Sequence, residues 1–333
     1  MQRVTLRHLA DKLDLSMTTV SRALKQASDV SPATIDLVRK VARDMGYRVN
    51  QDAVSLRTGK TYRLCALMPD ATPGEFGSIG FLSVIEGVTE GLRGTPYSLS
   101  LLTSSPGDSA IDTLRRVVED RMCDGIILSE TRPKDARLMF LADRQFPFVT
   151  MGRSELFTPH SYVDADCDYA ARTALAYLAG RGHRRIAGFF PPREFMYAQQ
   201  LAQGWQAAHR DLGLPFDPDL AYFGPLGPSQ VQTAAATLLH QGAAAPTAAF
   251  TASEIADWGL QAAVAAAGLE SRFEIVSCDG SGATQFLARP VSALTVSFHD
   301  MGKLLGATLV AVVGGQSAEV SQYIVTPTLM SRL

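Results

Sequence analysis

The stretch LRHLADKLDLSMTTVSRAL at 6–24 constrains the fold more than any other part of the chain. Leu6, Leu9, Ala10 and Leu13 recur at helical spacing, Asp14-Leu15-Ser16 interrupts them, and a second short helix follows with Val20, Ala23 and Leu24 turned back toward the first. This is a helix-turn-helix pattern. Ser16 is placed to cap the second helix through the backbone N–H of residue 18 or 19, leaving Thr18, Ser21, Arg22 and Lys25 on its outward face. A short helix with hydroxyls and cations on one face, and no carboxylate there, suits the major groove of DNA. A helical hairpin with an ordinary polar outside is the plainer reading, and the next segment weighs against it. Ser31-Pro32 supplies an N-cap and a first-turn proline, Ile35, Val38, Ala42 and Met45 form a third apolar stripe, and Gly46 stands at the C-terminal cap. Asn50 then caps one more short helix expected at 51–58, ending at Gly59.

Charge separates the chain into a head and a body. The whole chain has 31 Lys and Arg against 33 Asp and Glu, a net charge of −2 that alone argues against nucleic acid. Residues 1–63 hold 12 basic and 6 acidic side chains, net +6, which leaves 19 against 27, net −8, for the rest. A solvated charged face accounts for charge but not for this segregation, which phosphate binding by one end requires. With 333 residues the chain has room for two or three domains. Its first residues do not read as a signal peptide and no apolar run is long enough to span a bilayer, so a cytoplasmic protein without membrane contact is expected. The four cysteines and six histidines are scattered without ligand spacing, so neither metal nor cofactor is expected.

From residue 62 onward, apolar strand-like runs alternate with amphipathic segments. Strands are expected at 63–68, 97–102, 125–128 and 146–151, with helices near 82–92, 110–121 and 135–143. The pattern restarts with helices at 169–178, 199–212, 231–240 and 255–267 and strands at 185–190, 220–223, 247–251 and 273–277. Alternation of this kind builds parallel sheets flanked by helices, and two such sets imply two subdomains with a cleft between them. The fold class read from these patterns is therefore an all-α helix-turn-helix head with one more short helix, followed by an α/β body of two parallel-sheet subdomains.

The runs VTLRHLADKLDLSMTTVSRALK and VSPATIDLVRKVARDMGYRVNQDAVSLRTGKT resemble the headpiece of the LacI/GalR transcriptional regulators in order and spacing. The body resembles theirs more loosely, with the landmarks MPD at 68–70, CDGIIL at 123–128, GRGHRRIA at 180–187 and SCDG at 277–280, and theirs has the fold of periplasmic sugar-binding proteins. The resemblance implies a headpiece at 1–49, a hinge helix and linker at 50–61 and an effector-binding, dimerising body at 62–333. It further implies subdomains of roughly 62–163 with 298–322 and 164–297 with 323–333, the chain crossing near Val163, near Ser297 and again near the C-terminus. Ser16, Met17, Thr18, Thr19, Ser21 and Arg22 match positions that contact bases and phosphates, and Thr5 and Asn50 join them as DNA-binding candidates. Leu56 matches the hinge leucine that wedges into the minor groove, which unstacks a base step for a few kcal/mol. Asp14 in the turn and Val54 in the hinge depart from the family pattern. Asp tolerates a left-handed backbone better than most residues, and a valine removes one phosphate contact.

Ligands of open α/β sheets sit beyond the carboxyl ends of strands, so effector candidates come from those loops. Asp279 matches the family aspartate that binds effector hydroxyls, with helix capping as the alternative role. Arg132 and Arg153 each follow a strand and are placed to fork onto oxygens or to form ion pairs. Phe76, Tyr197 and Trp258 are candidates for stacking on a ring, against the commoner role of core aromatics. Ser253-Glu254 stands where the family often has Asn-Asp, and Gln199 where it often has an effector-gripping arginine. Without that arginine a carboxylate-bearing effector is disfavoured and a neutral sugar or glycoside fits. FPFVTMGRSE and Pro191-Pro192 resemble the α-glucoside-responsive branch.

The expected protein is an operator-binding repressor that dimerises on a palindromic duplex and is controlled by a small carbohydrate. With no heptad repeat after 323–325, a dimer is expected rather than a tetramer. Two readings stand beside it: a sugar-binding protein without a DNA role, and a sugar-modifying enzyme. No Gly-x-Gly-x-x-Gly or Gly-x-Ser-x-Gly motif supports the enzyme.

Overall fold

A computed structural model describes residues 4–25, 27–47, 58–67, 79–103, 109–156, 159–315 and 320–332. The chain divides into two compact units, Met1–Tyr62 and Arg63–Leu333. Asn50, Leu56 and Phe76, most of the helix expected at 51–58, and the 68–70 landmark lie outside the described residues.

In the first unit, helices α1 (Leu6–Leu13), α2 (Met17–Leu24) and α3 (Pro32–Asp44) close around Leu9, Val20, Ala23 and Val38, all fully buried. Local chemistry sets each boundary. Thr5 caps α1, accepting from the His8 N–H while the His8 ring accepts from the Thr5 N–H. Asp14 ends α1 in the left-handed region at φ 52°, where Asp is tolerated. Ser16 caps α2 by accepting from the Thr19 N–H at 3.0 Å. Gly46, at φ 65°, ends α3: the Tyr47 N–H donates to the Ala42 carbonyl and the Gly46 N–H to that of Arg43, the paired bonds of a Schellman cap.

The body holds two six-stranded sheets. In chain order, the first lobe runs β1 (Arg63–Leu67), α4 (Ile79–Gly91), β2 (Ser98–Leu102), α5 (Ala110–Glu119), β3 (Gly125–Leu128), α6 (Ala136–Asp143), β4 (Phe148–Met151) and β5 (Tyr162–Ala165). The second lobe follows with α7 (Cys167–Gly180), β6 (Ile186–Phe190), α8 (Met196–Asp211), β7 (Ala221–Phe223), α9 (Pro228–Leu239), β8 (Ala248–Thr251), α10 (Glu254–Ala266), β9 (Glu274–Asp279) and β10 (Ser292–Thr295). The chain then returns with α11 (Phe298–Val313) and β11 (Gln322–Val325) and ends in β12 (Thr328–Met330). The sheet orders are β11-β5-β4-β3-β1-β2 and β12-β10-β9-β8-β6-β7, all parallel except β12 against β10. Central strands such as β3 (GIIL) and β6 (IAGFF) are buried along their whole length, as strands covered by helices on both faces must be.

Strand pairing corrects the expected lobe boundaries at two places. β5 continues past Val163 to Ala165 in the first sheet, and Gln322–Val325 pairs with Tyr162–Ala165, so 323–325 belongs to the first lobe. The last crossing comes at 326–327. Hydrogen bonding along the free edge of β5 holds that segment, a constraint that local pattern does not carry.

α11 packs face to face on α4. An added Cβ at Gly302 would sit 2.1 Å from the Val84 carbonyl oxygen, so the backbones meet only because residue 302 has no side chain.

Candidate functional site

In the head, the outward side of α2 is as the pattern requires. Ser16, Met17, Thr18, Arg22 and Lys25 are exposed, while Thr19 and Ser21 are half-buried. Ser16 and Thr19 share a hydroxyl–hydroxyl bond at 2.8 Å, so both serve the cap before any ligand. Thr5 is likewise engaged in capping α1. Arg22 pairs with Asp29, with both side chains about half exposed. A pair this exposed is worth ~0–1 kcal/mol, little enough for an anion to displace it.

In the body, the carboxyl ends of both sets of strands face one cavity of about 650 Å³. Both sheets reverse strand order there, β1 against β3 and β6 against β8, which places ligands in the crevice outside the strand ends. Arg132, Arg153, Tyr197, Ser253, Glu254 and Asp279 all line it. Gln199 and Trp258 do not. Gln199 donates to the Arg193 carbonyl at 3.1 Å and faces a shallower hollow on the other side of α8, while Trp258 is half-buried in α10, away from the lining.

The polar groups of the cleft are already heavily committed. Asp279 is buried, and its Oδ1 accepts from the N–H of Ser281 (3.1 Å) and of Gly282 (2.6 Å). Its Oδ2 accepts from the Thr284 N–H (3.2 Å) and hydroxyl, so all four lone-pair positions serve the turn ahead of the 3₁₀ segment Ala283–Phe286. The capping role weighed from the sequence is therefore the one the geometry fills. Arg153 Nε donates to Asp164 at 2.5 Å. Burial opposes the Arg153 charge, and Asp164 outweighs it and holds the guanidinium above its ordinary pKa. Arg132 Nη2 donates to Glu194 at 3.0 Å, and the Arg132 guanidinium carbon lies 5.3 Å from the Phe195 ring centre. Glu194 belongs to the opposite lobe, and beside it the Met196 N–H donates to the Thr131 carbonyl at 2.8 Å, so two loops clasp across the cleft.

Burial pushes the Glu254 carboxyl up, against one hydrogen bond from its own backbone and one from the Ser281 hydroxyl at 2.8 Å. Behind it, Asp257 is fully buried, accepts from Thr251 at 2.5 Å and is pushed up to about 8 by burial. The Tyr197 phenol is raised by burial, with Glu130 adding to it, and its ring stacks on Phe195 at 5.7 Å. Cys167 and Cys278 also line the cavity, and burial raises both thiols, keeping them protonated.

Sequence reading missed Asp164, Glu194, Phe195 and Gln200. Asp164 lies in β5, a four-residue strand without alternation; Glu194 and Phe195 lead into α8, whose start the pattern placed at 199 rather than Met196, and Gln200 lies within the expected helix, where only packing decides which face turns to the cleft.

Residues 5–50 match the family of bacterial regulatory proteins, lacI family, and residues 175–333 match the periplasmic binding protein-like domain. The chain is 32% identical over 268 residues to the HTH-type transcriptional regulator AglR of Rhizobium meliloti, covering 80% of this chain and 74% of that one. The chain belongs to the LacI family of bacterial regulatory proteins. It is 29% identical to the regulator RafR of Escherichia coli over 97% of this chain and 96% of RafR. Among solved structures, the regulator CelR in complex with cellobiose superposes with a TM-score of 0.73 at 25% identity, covering 99% of each chain. The lac repressor dimer bound to operator and an anti-inducer superposes at 0.82 with 18% identity, over 99% of this chain and 98% of that one. A LacI-family chain with this head and body is a DNA-binding transcriptional regulator rather than an enzyme. No described helix is long and apolar enough to cross a membrane.

Proposed function

We propose that this regulator is a repressor that binds a palindromic operator as a homodimer and is controlled by a small neutral carbohydrate in the body cleft. Modules of 1–49, 50–61 and 62–333 serve DNA reading, hinge and effector response. Ser16, Met17, Thr18, Thr19, Ser21 and Arg22 meet bases and phosphates, helped by Thr5 and Asn50, and Leu56 supplies the minor-groove wedge.

The balance of charge around the cavity carries the choice of effector. Among the described residues, Glu130, Asp164, Asp166, Glu194, Glu254 and Asp279 line it against Arg132 and Arg153, each of which pairs with one of those carboxylates. A sugar phosphate or sugar acid would bring an anion to a site where carboxylates outnumber cations, whereas a polyol can share hydroxyls with carboxylates and stack on Phe195 and Tyr197. The cellobiose seen with CelR belongs to the same chemical class. Control follows by linkage. The effector shifts operator affinity only by its different affinity for the lobe arrangements of the DNA-bound and free dimer.

The test is fluorescence anisotropy on palindromes selected from a random pool, in a salt series against random duplex, followed by a screen of neutral disaccharides, sugar phosphates and sugar acids. The reading expects a steep salt slope, a selected palindrome bound far more tightly than random duplex, and a neutral sugar alone changing that affinity. A response confined to phosphorylated or acidic sugars would overturn the effector class. No selected palindrome would overturn the repressor.

A further inference from the structure

Among the described residues, four side chains hold a polar atom sealed from solvent with no hydrogen-bond partner: Thr113 Oγ1, Ser154 Oγ, Gln200 Oε1 and Asp257 Oδ2. Only Gln200 also lines the cleft cavity. It sits on α8 at 9% exposure, in a buried face made otherwise of Met196, Ala198, Leu201, Gly204 and Trp205. A polar residue in such a stripe normally carries its own partner, as His209 does further along α8 by bonding the Trp205 carbonyl at 2.9 Å. An amide oxygen left unpaired in a buried site costs free energy that a leucine of similar size would not. The terminal amide torsion is broad and roughly two-fold, so a half-turn brings either the oxygen or the NH₂ to the cavity wall.

We propose that Gln200 is a specificity-determining residue of the cleft, its side-chain amide turning to the cavity wall to pair with one hydroxyl of the bound carbohydrate. The proposal rests on the reading that the cleft binds a neutral sugar, and it names the group that reads the sugar's hydroxyl pattern. Asp279 has no lone pair to spare for that task. Gln199, its neighbour in sequence, is turned to the far side of the helix.

The experiment is isothermal titration calorimetry of the full chain with cellobiose, maltose, melibiose and raffinose, then with monodeoxy analogues of whichever sugar binds, for the natural chain and for Gln200→Leu. Gln200→Leu is expected to melt no lower than the natural chain without sugar and to bind the sugar roughly tenfold or more weakly. One monodeoxy analogue is expected to lose affinity for the natural chain while binding Gln200→Leu as the parent sugar does, because the hydroxyl and the amide form one pair. If Gln200→Leu does not fold, Gln200→Met serves in the same cycle. Sugar binding by the natural chain with equal affinity in the variant, or every deoxy analogue losing equally in both, would overturn the role of Gln200 alone. No binding of any of the four sugars by the natural chain would overturn the carbohydrate reading and the proposal with it.

Discussion

Asp257 is a single residue whose titration governs a measurable property of the body. Burial lifts its carboxyl from an ordinary 3.8 to about 8, so at neutral pH the native chain keeps a proton that the unfolded chain has released. Unfolding therefore releases a proton anywhere in that window. Stability from this group is complete below the ordinary value and falls as pH rises toward about 8, with a slope approaching ~1.4 kcal/mol per pH unit. Asp257→Asn, neutral throughout, is expected to flatten urea-melt stability between pH 5 and 8, with Glu254 leaving a smaller slope of the same sign. Parallel slopes in the two proteins would remove Asp257 as the source. At the head, Arg22 gives up a weak exposed partner when it meets DNA. Arg22→Ala is expected to cost roughly 1–3 kcal/mol on the operator if the guanidinium bonds a guanine bidentately, and equal loss on random duplex in the same competition assay would make it a phosphate contact. Single residues were unevenly legible. Caps such as Ser16 and Asp14 act within a few residues of themselves and follow from local sequence. The roles of Asp279, Gln199 and Gln200 depend on which way a loop or helix face turns, which tertiary packing decides.

Among the elements, the loop after β3 shows how one buried ion pair and one exposed pair differ in weight. Arg137, at the start of α6, donates to the carbonyls of Ser129 and Glu130 and to Asp135, and the Asp135 carboxylate accepts the Arg132 N–H. Asp135 is 2% exposed and Arg137 12%, whereas Arg132 and Glu194 are at 43% and 58%. Arg137→Met strands a buried carboxylate and is expected to cost the body roughly 3–5 kcal/mol. Glu194→Ala, removing an exposed partner across the cleft, is expected to cost under about 1 kcal/mol. Urea denaturation of both variants checks the contrast, and similar losses would show that the loop is held by something other than the Arg137 network. Most of the alternating strands and helices could be read from periodicity, because the central strands are buried on both faces and each covering helix on one. β5, β10 and α11 could not. The strands are four residues long, and α11 (FHDMGKLLGATLVAVV) carries Gly302 and Gly306, which resemble breakers until their close approach to α4 supplies the reason for them.

At the scale of the molecule, two compact units with separate cores predict two separable unfolding events. The head encloses a small core around Leu9, Val20, Ala23 and Val38, and a unit of about 60 residues buries too little surface to be more than marginally stable, while the body builds four clusters on the faces of two sheets. The head is therefore expected to melt first in differential scanning calorimetry. Each ligand stabilises only the unit it binds, by ~2.7 kcal/mol at a hundred times its Kd, so operator duplex is expected to raise the first transition and an effective sugar the second. With both present, the two gains should fall short of or exceed their separate sum by the coupling free energy, typically ~1–3 kcal/mol and the same whichever ligand is added first. The sign of that difference distinguishes an inducer, which subtracts, from a corepressor, which adds. Strictly additive shifts mean zero coupling and would contradict linkage through the body, whereas a sugar that raises the first transition instead of the second, with gains that do not add to those of the duplex, would place sugar and duplex in competition at the head itself.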